Sequence, residues 1–406
     1  MTSPIIQCSG LTKVFGVREK EAFSLAQHGV GRAEIFRRTG ATVAVHNVDF
    51  DVARGELFVV MGLSGSGKST LVRLLNRLIE PSAGTVHIDG NDLSSVGDRE
   101  LRKVRNHQVS MVFQHFALFP HRTVRENAAY GLKVRGAAAR ELRDRADWAL
   151  ATVGLADHAD ARPSELSGGM QQRVGLARAL ATDSDVMLMD EPFSALDPLI
   201  RRTMQELLIR LQNELHKTIV FITHDLNEAM RLGDRILILK DGHKVQLGTG
   251  PEIISSPADG YVKDFVSDVD RSRVLTAEDV LREPNTVACL GERPVDVLHR
   301  LSAADAHGIY VLDDNRRIVG VARDDLLASA VQENRGALTR DGLVSDFLTT
   351  SADRPLIELM HLVGRRVVPL AVLDEEDRLI GVLPRAVMLD ALSPTPGADR
   401  ASTPSR

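Results

Sequence analysis

Residues 62–70 have the types and spacing of a phosphate-binding loop. Their sequence, GLSGSGKST, fits the pattern G-x-x-x-x-G-K-[S/T], follows an apolar run at 57–61 and precedes a helix-like stretch at 71–75. Glycines let backbone N–H groups converge on phosphate oxygens, and a helix N-terminus adds partial positive charge. Lys68 can reach the β- and γ-phosphates, and the Ser69 hydroxyl can ligate Mg²⁺. The spacing therefore predicts that the chain binds a nucleoside triphosphate.

Two acidic residues, Asp190 and Glu191, follow an apolar run at 186–189. In phosphoryl-transfer enzymes an acid in the first position can hold Mg²⁺ through water, and one in the second can polarise the attacking water. Acid pairs at strand ends also occur as ordinary helix caps. Taken alone, the pair leaves both interpretations open.

A second segment suited to an anion lies at residues 166–174, with the sequence LSGGMQQRV, ahead of an amphipathic helix. Ser167, Gly168 and Gly169 would leave free amides at the start of that helix. One chain does not need two phosphate sites for a single ATP, so we interpret the segment as serving the ATP of a second subunit. A plain Ser-Gly-Gly helix cap is the alternative.

Two further polar residues follow predicted strands. Gln114 comes after the run at 109–113, and His224 comes after the run at 219–222. Ligands of open α/β sheets bind at the carboxyl ends of the strands, so both side chains are expected near the phosphates. Either residue alone is better explained as a satisfied polar side chain, but their order among the other motifs favours a catalytic contact.

The elements that must position these residues alternate along the first 265 residues. Short apolar runs alternate with helical patterns, and several runs are apolar on both faces, which favours a largely parallel sheet with helices on both sides. A helix-prone insert at residues 17–41 separates the first two strand signals. Strands are predicted at 59–61, 109–113, 186–189, 219–222 and 236–239, and helices at 99–105, 140–153 and 200–215.

Length and composition indicate a globular chain of two or three domains, since it has 406 residues, 43% of them hydrophobic and 26% charged. A net charge of −5 gives no case for a nucleic-acid-binding surface. The isolated cysteines, Cys8 and Cys289, form no disulfide framework or metal motif and fit a reducing compartment. Without a long apolar run or a signal-peptide pattern, we expect a cytoplasmic protein that reaches a membrane only through a partner.

The chain contains an internal repeat beyond residue 267. The sequence VLDDNRRIVGV at 311–321 recurs as VLDEEDRLIGV at 372–382, an offset of 61 residues. Each copy predicts a strand, an acidic turn, a second strand and a helix. Because two copies are too few for a solenoid, we predict a pair of small domains. The tail at 394–406 is rich in Pro, Ser and Thr and is predicted to be disordered.

In this order the motifs resemble those of the ATP-binding cassette (ABC) ATPases over about residues 4–265. The resemblance implies an α/β fold, a P-loop NTPase domain with a helical subdomain. The residues to which it assigns nucleotide contacts or catalysis are Gly62, Ser64, Gly65, Ser66, Gly67, Lys68, Ser69 and Thr70 of the Walker A loop, Gln114 of the Q-loop, Ser167, Gly168, Gly169 and Gln171 of the signature, Asp190 of Walker B, the catalytic Glu191 and the switch residue His224.

The same resemblance implies a head-to-tail homodimer that closes over two ATP molecules with Mg²⁺. Each ATP would lie between the Walker A loop of one subunit and residues 167–169 of the other. Glu191 would act as general base and His224 would contact the γ-phosphate, while the metal would lie near Ser69, Gln114 and Asp190. The D-loop would be residues 194–197. Phe15 would stack on the adenine, although a core position explains an aromatic residue there equally well.

A finer resemblance, to the ATP-binding subunits of glycine betaine/L-proline importers, covers nearly the whole chain. It includes the insert at 17–41, RLLNRLIEP at 73–81, FSALDPLI at 193–200 and THDLNEAMR at 223–231. It implies an ATPase subunit at the cytoplasmic face of the membrane that works with permease subunits and, indirectly, with a solute-binding protein. Import of choline, carnitine or another substrate and a soluble, non-transport ABC ATPase remain the alternatives.

Residues 115–124, HFALFPHRTV, carry three large apolar side chains. In ABC importers this region accepts the coupling helix of the membrane subunit, so the resemblance implies a docking groove there. Three such side chains are equally compatible with a place in the core.

The C-terminal repeat resembles a tandem pair of CBS domains, an α+β module. We predict an ATPase domain at 1–267 and CBS domains at 272–332 and 338–393. Neither GVARDDL nor GVLPRAV, the two copies of the ribose-binding segment, has the hydroxyl residue and final Asp that adenosine-binding CBS domains use. In the related transporters that the resemblance indicates, such a module senses ionic strength or a cyclic dinucleotide. We expect this one to tune activity with ionic strength, through charge-dense turns that could also be merely solvated.

Overall fold

The computed structural model describes residues 3–114, 117–194, 196–267, 269–284, 286–362 and 368–393. The chain falls into two compact units, Met1–Val266 and Ser267–Arg406. None of the helices in these ranges is both long and apolar enough to cross a bilayer. The predicted disordered tail at 394–406 lies outside the described residues.

Two β-sheets and the helices around them make up the first unit. The helical insert at 17–41 contributes the first two helices. The regions predicted to be helical at 99–105 and 200–215 lie within the fourth and ninth helices, and the region predicted at 140–153 extends one residue past the end of the seventh. The elements are β1 (Ile6–Phe15), α1 (Glu19–Gln27), α2 (Arg32–Thr39), β2 (Thr42–Val52), β3 (Leu57–Met61), α3 (Lys68–Leu75), β4 (Ala83–Ile88), β5 (Asn91–Asp92), α4 (Asp98–His107), β6 (Val109–Val112), α5 (Val124–Ala128), α6 (Tyr130–Arg135), α7 (Ala139–Thr152), α8 (Gly168–Ala181), β7 (Val186–Asp190), α9 (Pro198–Leu215), β8 (Thr218–Thr223), α10 (Leu226–Leu232), β9 (Arg235–Lys240), β10 (His243–Gly248), α11 (Gly250–Ser255) and α12 (Gly260–Val266).

The larger sheet has the strand order β10-β9-β3-β8-β7-β6. All its neighbouring strands are parallel except the edge pair of β9 and β10, which is antiparallel. Strands β3, β7 and β8 are buried at every residue. Burial on both faces explains why their sequences are continuous apolar runs without alternation. The predicted α/β class with a largely parallel sheet is confirmed.

The smaller sheet is antiparallel, with the order β2-β1-β4-β5, and shares one core with the larger sheet. Phe50 of β2 and Phe58 of β3 stack with ring centroids 5.2 Å apart, which joins the two sheets directly. The inner face of α3 adds Leu71, Leu74 and Leu75 to the same core. The helix that follows the phosphate-binding loop is therefore fixed by both sheets.

The helical insert has a small core of its own, which continues the β1–β2 hairpin. Its buried apolar side chains come from both insert helices and both strands. Gly16, which precedes the insert, approaches Ala41 at its other end. Its φ is +133°, and a Cβ on this residue would lie 2.8 Å from the Cα of Ala41. The insert is thus a packed extension and not a loose loop. The buried members of this core are Val14, Ala22, Ala26, Ile35, Ala41 and Val43.

The second unit contains two small sheets of matching strand order. One is formed by β11 (Val287–Cys289), β12 (Gly308–Leu312) and β13 (Ile318–Arg323), and the other by β14 (Thr349–Ser351), β15 (Leu370–Leu373) and β16 (Leu379–Leu383). In each, the first pair is parallel and the second antiparallel, and Val311 pairs with Gly320 as Val372 pairs with Gly381. The internal repeat of the sequence is therefore also a structural repeat. Its elements are α13 (Arg271–Val274), α14 (Ala277–Val280), β11 (Val287–Cys289), α15 (Pro294–Ala303), β12 (Gly308–Leu312), β13 (Ile318–Arg323), α16 (Asp324–Gln332), β14 (Thr349–Ser351), α17 (Leu356–Leu359), β15 (Leu370–Leu373), β16 (Leu379–Leu383) and α18 (Arg385–Leu392).

Each half of this unit is completed by a segment that comes before the other half. Leu275 and Ala277 pack in the core of the second sheet, and Arg282 forms a backbone bridge with Val382. Leu338 packs in the core of the first sheet in the same manner. A third cluster, which includes residues of both sheets, lies between the halves. The two halves consequently share their cores within one unit.

The two cysteines allow a test of the packing. Cys8 is buried in β1, whereas Cys289 is exposed. Burial, with the charge of Asp49 adding to it, raises the pKa of the Cys8 thiol well above its usual range. Since the thiolate is the reactive form, we predict that iodoacetamide modifies Cys289 in the folded protein and Cys8 only after unfolding. Peptide mass spectrometry measures this.

A Cys289→Ser variant is the control, because it should leave no rapidly modified thiol in the folded protein. Rapid modification of Cys8 in that variant would contradict the tight packing of β1 against its neighbours.

Candidate nucleotide-binding site

The register of the parallel strands brings the predicted site residues to one edge of the larger sheet. Met61, the last residue of β3, lies opposite Thr223, the last residue of β8. On the other side of β8, Asp190 lies opposite Ile222. The phosphate-binding loop, the acidic pair and His224 therefore begin at the same level of the sheet.

Strand β6 brings Gln114 to this edge as well. Val112, the last residue of β6, lies opposite Met189 of β7. Two residues further along each chain segment are Gln114 and Glu191, so their backbones leave the sheet at the same level. Gln114 is half-buried. The contact of its side chain with a nucleotide or metal stays a prediction.

The phosphate-binding loop requires glycine where it touches neighbouring strands. Gly62 has φ +152° and Gly67 has φ +103°, conformations that other residues rarely adopt. A Cβ at Gly62 would lie 2.2 Å from the Leu239 carbonyl oxygen, and one at Gly67 would lie 2.3 Å from the Ala44 carbonyl oxygen. The loop is thus pressed against β9 and β2. Ser64, Gly65 and Ser66 lie in the loop between these two glycines. Ser69 and Thr70 follow in the first turn of α3.

Lys68 lies folded back over this loop. Its Nζ donates hydrogen bonds to the carbonyl oxygens of Gly62 and Leu63, at 2.8 and 3.1 Å. The same Nζ is 3.7 Å from Oε1 of Glu191. Burial lowers the pKa of the Lys68 ammonium, while the charges of Glu191 and Asp190 oppose that shift. A buried ammonium with such neighbours is well placed to exchange these partners for phosphate oxygens.

Asp190 is nearly inaccessible, with 1% of its side chain exposed, and it is paired. Its Oδ1 accepts a hydrogen bond of 2.8 Å from the Ser69 hydroxyl, and its Oδ2 accepts one of 3.4 Å from Arg73. Hydroxyl and carboxylate oxygens are ligands that Mg²⁺ takes beside phosphate. The pair therefore fits a magnesium site. The sequence prediction missed Arg73, although its position four residues after Ser69 places both on one face of α3.

Glu191 stands between the lysine and the histidine. Its Oε2 is 3.1 Å from Nδ1 of His224, and its Oε1 faces Lys68. Its backbone has φ +45°, an uncommon conformation for a residue with a side chain, and such strain is concentrated at functional sites. The structure thus brings together the three residues for which the sequence predicted chemistry on the terminal phosphate.

The loop that carries His224 is held by a buried carboxylate. Glu228 accepts hydrogen bonds from the Thr223 hydroxyl at 2.6 Å and from the Gln205 side-chain amide at 3.0 Å. The Thr223 oxygen in turn accepts one from the backbone N–H of Asp225, at 2.9 Å. Burial raises the pKa of the Glu228 carboxyl. Sequence reasoning missed this residue, since an acid in the first turn of a helix is usually a surface side chain.

Arg201 connects this loop to the segment at 194–197. Its Nη2 donates a hydrogen bond of 3.1 Å to the carbonyl oxygen of Leu196. Its guanidinium is also 3.6 Å from Oδ2 of Asp225 and 3.8 Å from Oε1 of Glu228. Arg201 therefore links the backbone at Leu196 to the side chains that hold the loop of His224.

The Ser-Gly-Gly segment begins α8. Ser167 is the N-cap, and its side chain accepts a hydrogen bond of 3.4 Å from the backbone N–H of Met170. Ser167 and Gly168 are exposed. Gly169 packs against α9, because a Cβ there would lie 3.0 Å from Cγ2 of Ile200. The helix start is available to a partner, as the sequence interpretation requires, and it is also an ordinary capped terminus.

Gln171 has a local role in this structure. Its side-chain amide donates hydrogen bonds to the carbonyl oxygens of Pro163 and Leu166, at 3.0 and 3.2 Å. These bonds fix the backbone that leads into Ser167. A direct contact between Gln171 and nucleotide stays a prediction.

Phe15 ends β1 at the base of the helical insert. Its side chain is 41% exposed, and the ammonium of Lys13 is 5.2 Å from the ring centre. The ring is therefore not a core side chain, which removes the alternative that the sequence left open. Stacking on adenine stays a prediction.

Comparisons with known proteins identify the family of the chain. A model of the ABC transporter family matches residues 45–194. The chain is 48% identical over 388 residues to the glycine betaine/carnitine transport ATP-binding protein GbuA of Listeria monocytogenes, a match that covers 96% of this chain and 97% of that protein. It is 46% identical over 391 residues to the glycine betaine/proline betaine transport system ATP-binding protein ProV of Salmonella typhimurium, covering 95% and 97%. The chain belongs to the ATP-binding subunits of ABC transporters.

A solved structure agrees with the fold of this ABC subunit. It is the dimeric structure of a post-hydrolysis state of the ATP-binding cassette MJ0796 bound to ADP and Pi. The similarity has a TM-score of 0.52 at 35% identity and covers 60% of this chain and 98% of that one. The predicted P-loop NTPase class is thereby confirmed for the ABC subunit.

The buried carboxyl beside His224 gives a prediction on stability. A raised pKa means that the folded ABC subunit prefers protonated Glu228, so its free energy of unfolding falls as the pH rises from the usual glutamate range through the raised pKa. Glutamine cannot ionise and keeps hydrogen-bonding capacity. We predict that the thermal midpoint of Glu228→Gln minus that of wild type becomes more positive as the pH rises across this range. Differential scanning fluorimetry at several pH values measures it.

Glu214→Gln is the matched control, because Glu214 is exposed on α9. Its midpoint should follow that of the wild type at every pH. A constant offset between Glu228→Gln and wild type would show that Glu228 does not titrate differently in the folded chain.

Proposed function

We propose that this ABC subunit hydrolyses ATP to energise the import of glycine betaine and related compatible solutes. The single observation that carries the proposal is the meeting of Lys68, Glu191 and His224 at the strand ends of a chain that is similar along nearly its full length to glycine betaine transport subunits. Glycine betaine appears in the names of both relatives, whereas carnitine appears in one. Carnitine import is therefore the second candidate.

The phosphates of ATP would be bound by the loop at 62–70. Lys68 would release the carbonyl oxygens of its own loop and bind the β- and γ-phosphates. Ser69 and Asp190, which are already hydrogen-bonded to each other, would hold Mg²⁺ with Gln114 nearby. Bound Mg²⁺ would neutralise charge on the phosphate oxygens.

Hydrolysis would require one proton transfer and one displacement. A water molecule would attack the γ-phosphorus while its proton passes toward Glu191, and the bond to the β-phosphate oxygen would break to give ADP and phosphate. His224, 3.1 Å from the same carboxylate, would hold Glu191 and contact the γ-phosphate. Most of the rate enhancement would come from positioning and from the fixed charges around the phosphate.

We propose that the active form is a homodimer. The exposed start of α8 would complete the site of a second subunit with Ser167, Gly168 and Gly169, and Phe15 would stack on the adenine of its own subunit. The similar cassette MJ0796 forms a dimer with ADP and phosphate, which supports this arrangement. The proposed partners are permease subunits at the cytoplasmic face of the membrane and, through them, a solute-binding protein.

The segment before α5 is the proposed docking site for a permease helix. Residues 115 and 116 of that segment lie outside the described residues. Among the described residues nearby, the ring centroids of Phe119 and Tyr130 are 4.4 Å apart. The guanidinium carbon of Arg122 lies 4.7 Å from the Phe119 centroid and 4.6 Å from the Tyr130 centroid. This half-buried aromatic cluster would transmit a displacement of the helical region to the permease.

We further propose that the repeat in the second unit is a pair of CBS domains that regulates transport. Its two acidic turns are built alike: Asp313 accepts from the backbone N–H of Arg317, and Asp374 from that of Arg378, both at 2.8 Å. A backbone bridge joins Arg317 to Arg378. The guanidinium of Arg378 also forms ion pairs with Asp374 and Glu376, at 2.7 and 2.8 Å. Ion pairs on an exposed turn weaken as salt screens them, which supports sensitivity to ionic strength.

The role of Glu191 can be tested by a change that keeps its shape. We predict that Glu191→Gln still binds ATP but loses hydrolysis by about 100-fold or more, because an amide cannot accept the proton of water. Binding of a fluorescent ATP analogue and release of phosphate measure the two properties. Glu214→Gln is the control, and normal turnover of Glu191→Gln would remove this residue from the catalytic role.

The dimer can be tested in the Glu191→Gln background, where ATP would stay bound. Asparagine and aspartate both cap a helix, but only aspartate adds negative charge. We predict that Ser167→Asn keeps ATP-dependent dimerisation and that Ser167→Asp abolishes it, while both still bind ATP. Light scattering measures the mass. A stable ATP-bound dimer of the Ser167→Asp chain would contradict a phosphate contact at Ser167.

The regulatory role can be tested by removing the repeat. We predict that a transporter whose ATPase chain lacks residues 272–406 retains uptake of glycine betaine but loses the salt dependence of the complete system. Uptake into proteoliposomes at several ionic strengths measures this. Unchanged salt dependence would refute the regulatory proposal and leave the ATPase assignment intact.

A further inference from the structure

The helical insert at 17–41 has no part in the proposed mechanism so far, yet it is firmly attached next to the nucleotide site. Arg18 of its first turn donates a hydrogen bond of 2.8 Å to the carbonyl oxygen of Arg38 at the end of α2. Glu19 accepts one from the hydroxyl of Ser82, outside the insert. With the small core between α1, α2 and the β1–β2 hairpin, these bonds join the two helices to each other and to the hairpin.

One side chain of the insert contacts the phosphate-binding loop. Arg32, the first residue of α2, donates a hydrogen bond of 3.0 Å from Nη1 to the carbonyl oxygen of Gly65. Gly65 has φ +78°. Within the described residues, its own N–H has no hydrogen-bond partner. The loop thus has a carbonyl held by the insert and an amide still free for an anion.

The charge of Arg32 is not neutralised within the described part of the chain. The other arginines of the insert are paired with carboxylates, Arg18 with Glu21 and both Arg37 and Arg38 with Glu34. For Arg32, no carboxylate oxygen of the described residues lies within 4.0 Å of the guanidinium. An unpaired guanidinium fixed at a phosphate-binding loop is suited to attract a polyphosphate.

We propose that Arg32 is a positioning residue of the nucleotide site, supplied by the helical insert. It fixes the loop at Gly65, and its charge adds to that of Lys68 in binding the polyphosphate of ATP or ADP. This inference rests on the proposed binding of ATP at residues 62–70. It gives the insert a function, which is to raise affinity for nucleotide without taking part in the chemical step.

The test compares Arg32→Ala and Arg32→Lys with Arg37→Ala, a control on the same helix whose side chain is paired with Glu34. We expect Arg32→Ala to raise the Kd and KM for ATP about fivefold at low salt, with kcat unchanged within about twofold. Arg32→Lys should recover part of the loss, and Arg37→Ala should match wild type. The difference in Kd should shrink at high salt, because screening weakens the electrostatic part.

Thermal midpoints without nucleotide should be equal in all four proteins. With saturating ADP the midpoint should be lowest for Arg32→Ala, intermediate for Arg32→Lys, and equal for Arg37→Ala and wild type. Equal Kd values for Arg32→Ala and wild type, with binding lost in Lys68→Ala, would overturn the inference and leave the proposed function intact. A lower kcat at unchanged KM would also overturn it. Absence of ATP binding by the wild type would overturn both.

Discussion

The shared register of β3, β8 and β7 is the constraint on which the site depends. Because the three strands are parallel and end at one level, the loops that follow them leave the sheet side by side. Lys68, Glu191 and His224 are far apart in the sequence, yet their side chains form one chain of contacts of 3.7 and 3.1 Å. A shift of one residue in the pairing of β3 with β8, or of β8 with β7, would turn buried side chains to the opposite face of the sheet and separate these groups.

The second constraint is the pairing of buried charge, since the buried carboxylates of Asp190 and Glu228 both have hydrogen-bond partners. Asp190 is held by Ser69 and Arg73, and Glu228 by Thr223 and Gln205. Unpaired charges in such places would be costly. The contacts of Lys68 and Asp190 therefore satisfy these groups, and they use the same atoms that the proposed ligands would require.

Much of this could be predicted from sequence where the signal is local. The glycines of the phosphate-binding loop recur at a fixed spacing because they must pass close to β9 and β2. Continuous apolar runs identify the strands that are buried on both faces. Glu228 and Arg201 were missed, because nothing in their neighbours distinguishes a buried acid or a bridging guanidinium from surface charges. The helical insert was seen as a helix-prone interruption, but its contact with Gly65 depends on how α2 packs.

The sequence by itself determined the α/β class, the repeat, the main helices and buried strands, and which residues are predicted to bind the phosphates, because these follow from short-range spacing and polarity. Only the tertiary structure decided that Glu191 lies between Lys68 and His224, that the Phe15 ring is exposed, and that the segments before each half of the repeat pack in the opposite half. These features are set by packing between residues that are far apart in the sequence. Bringing such residues together costs conformational entropy, which the burial of their apolar surface offsets.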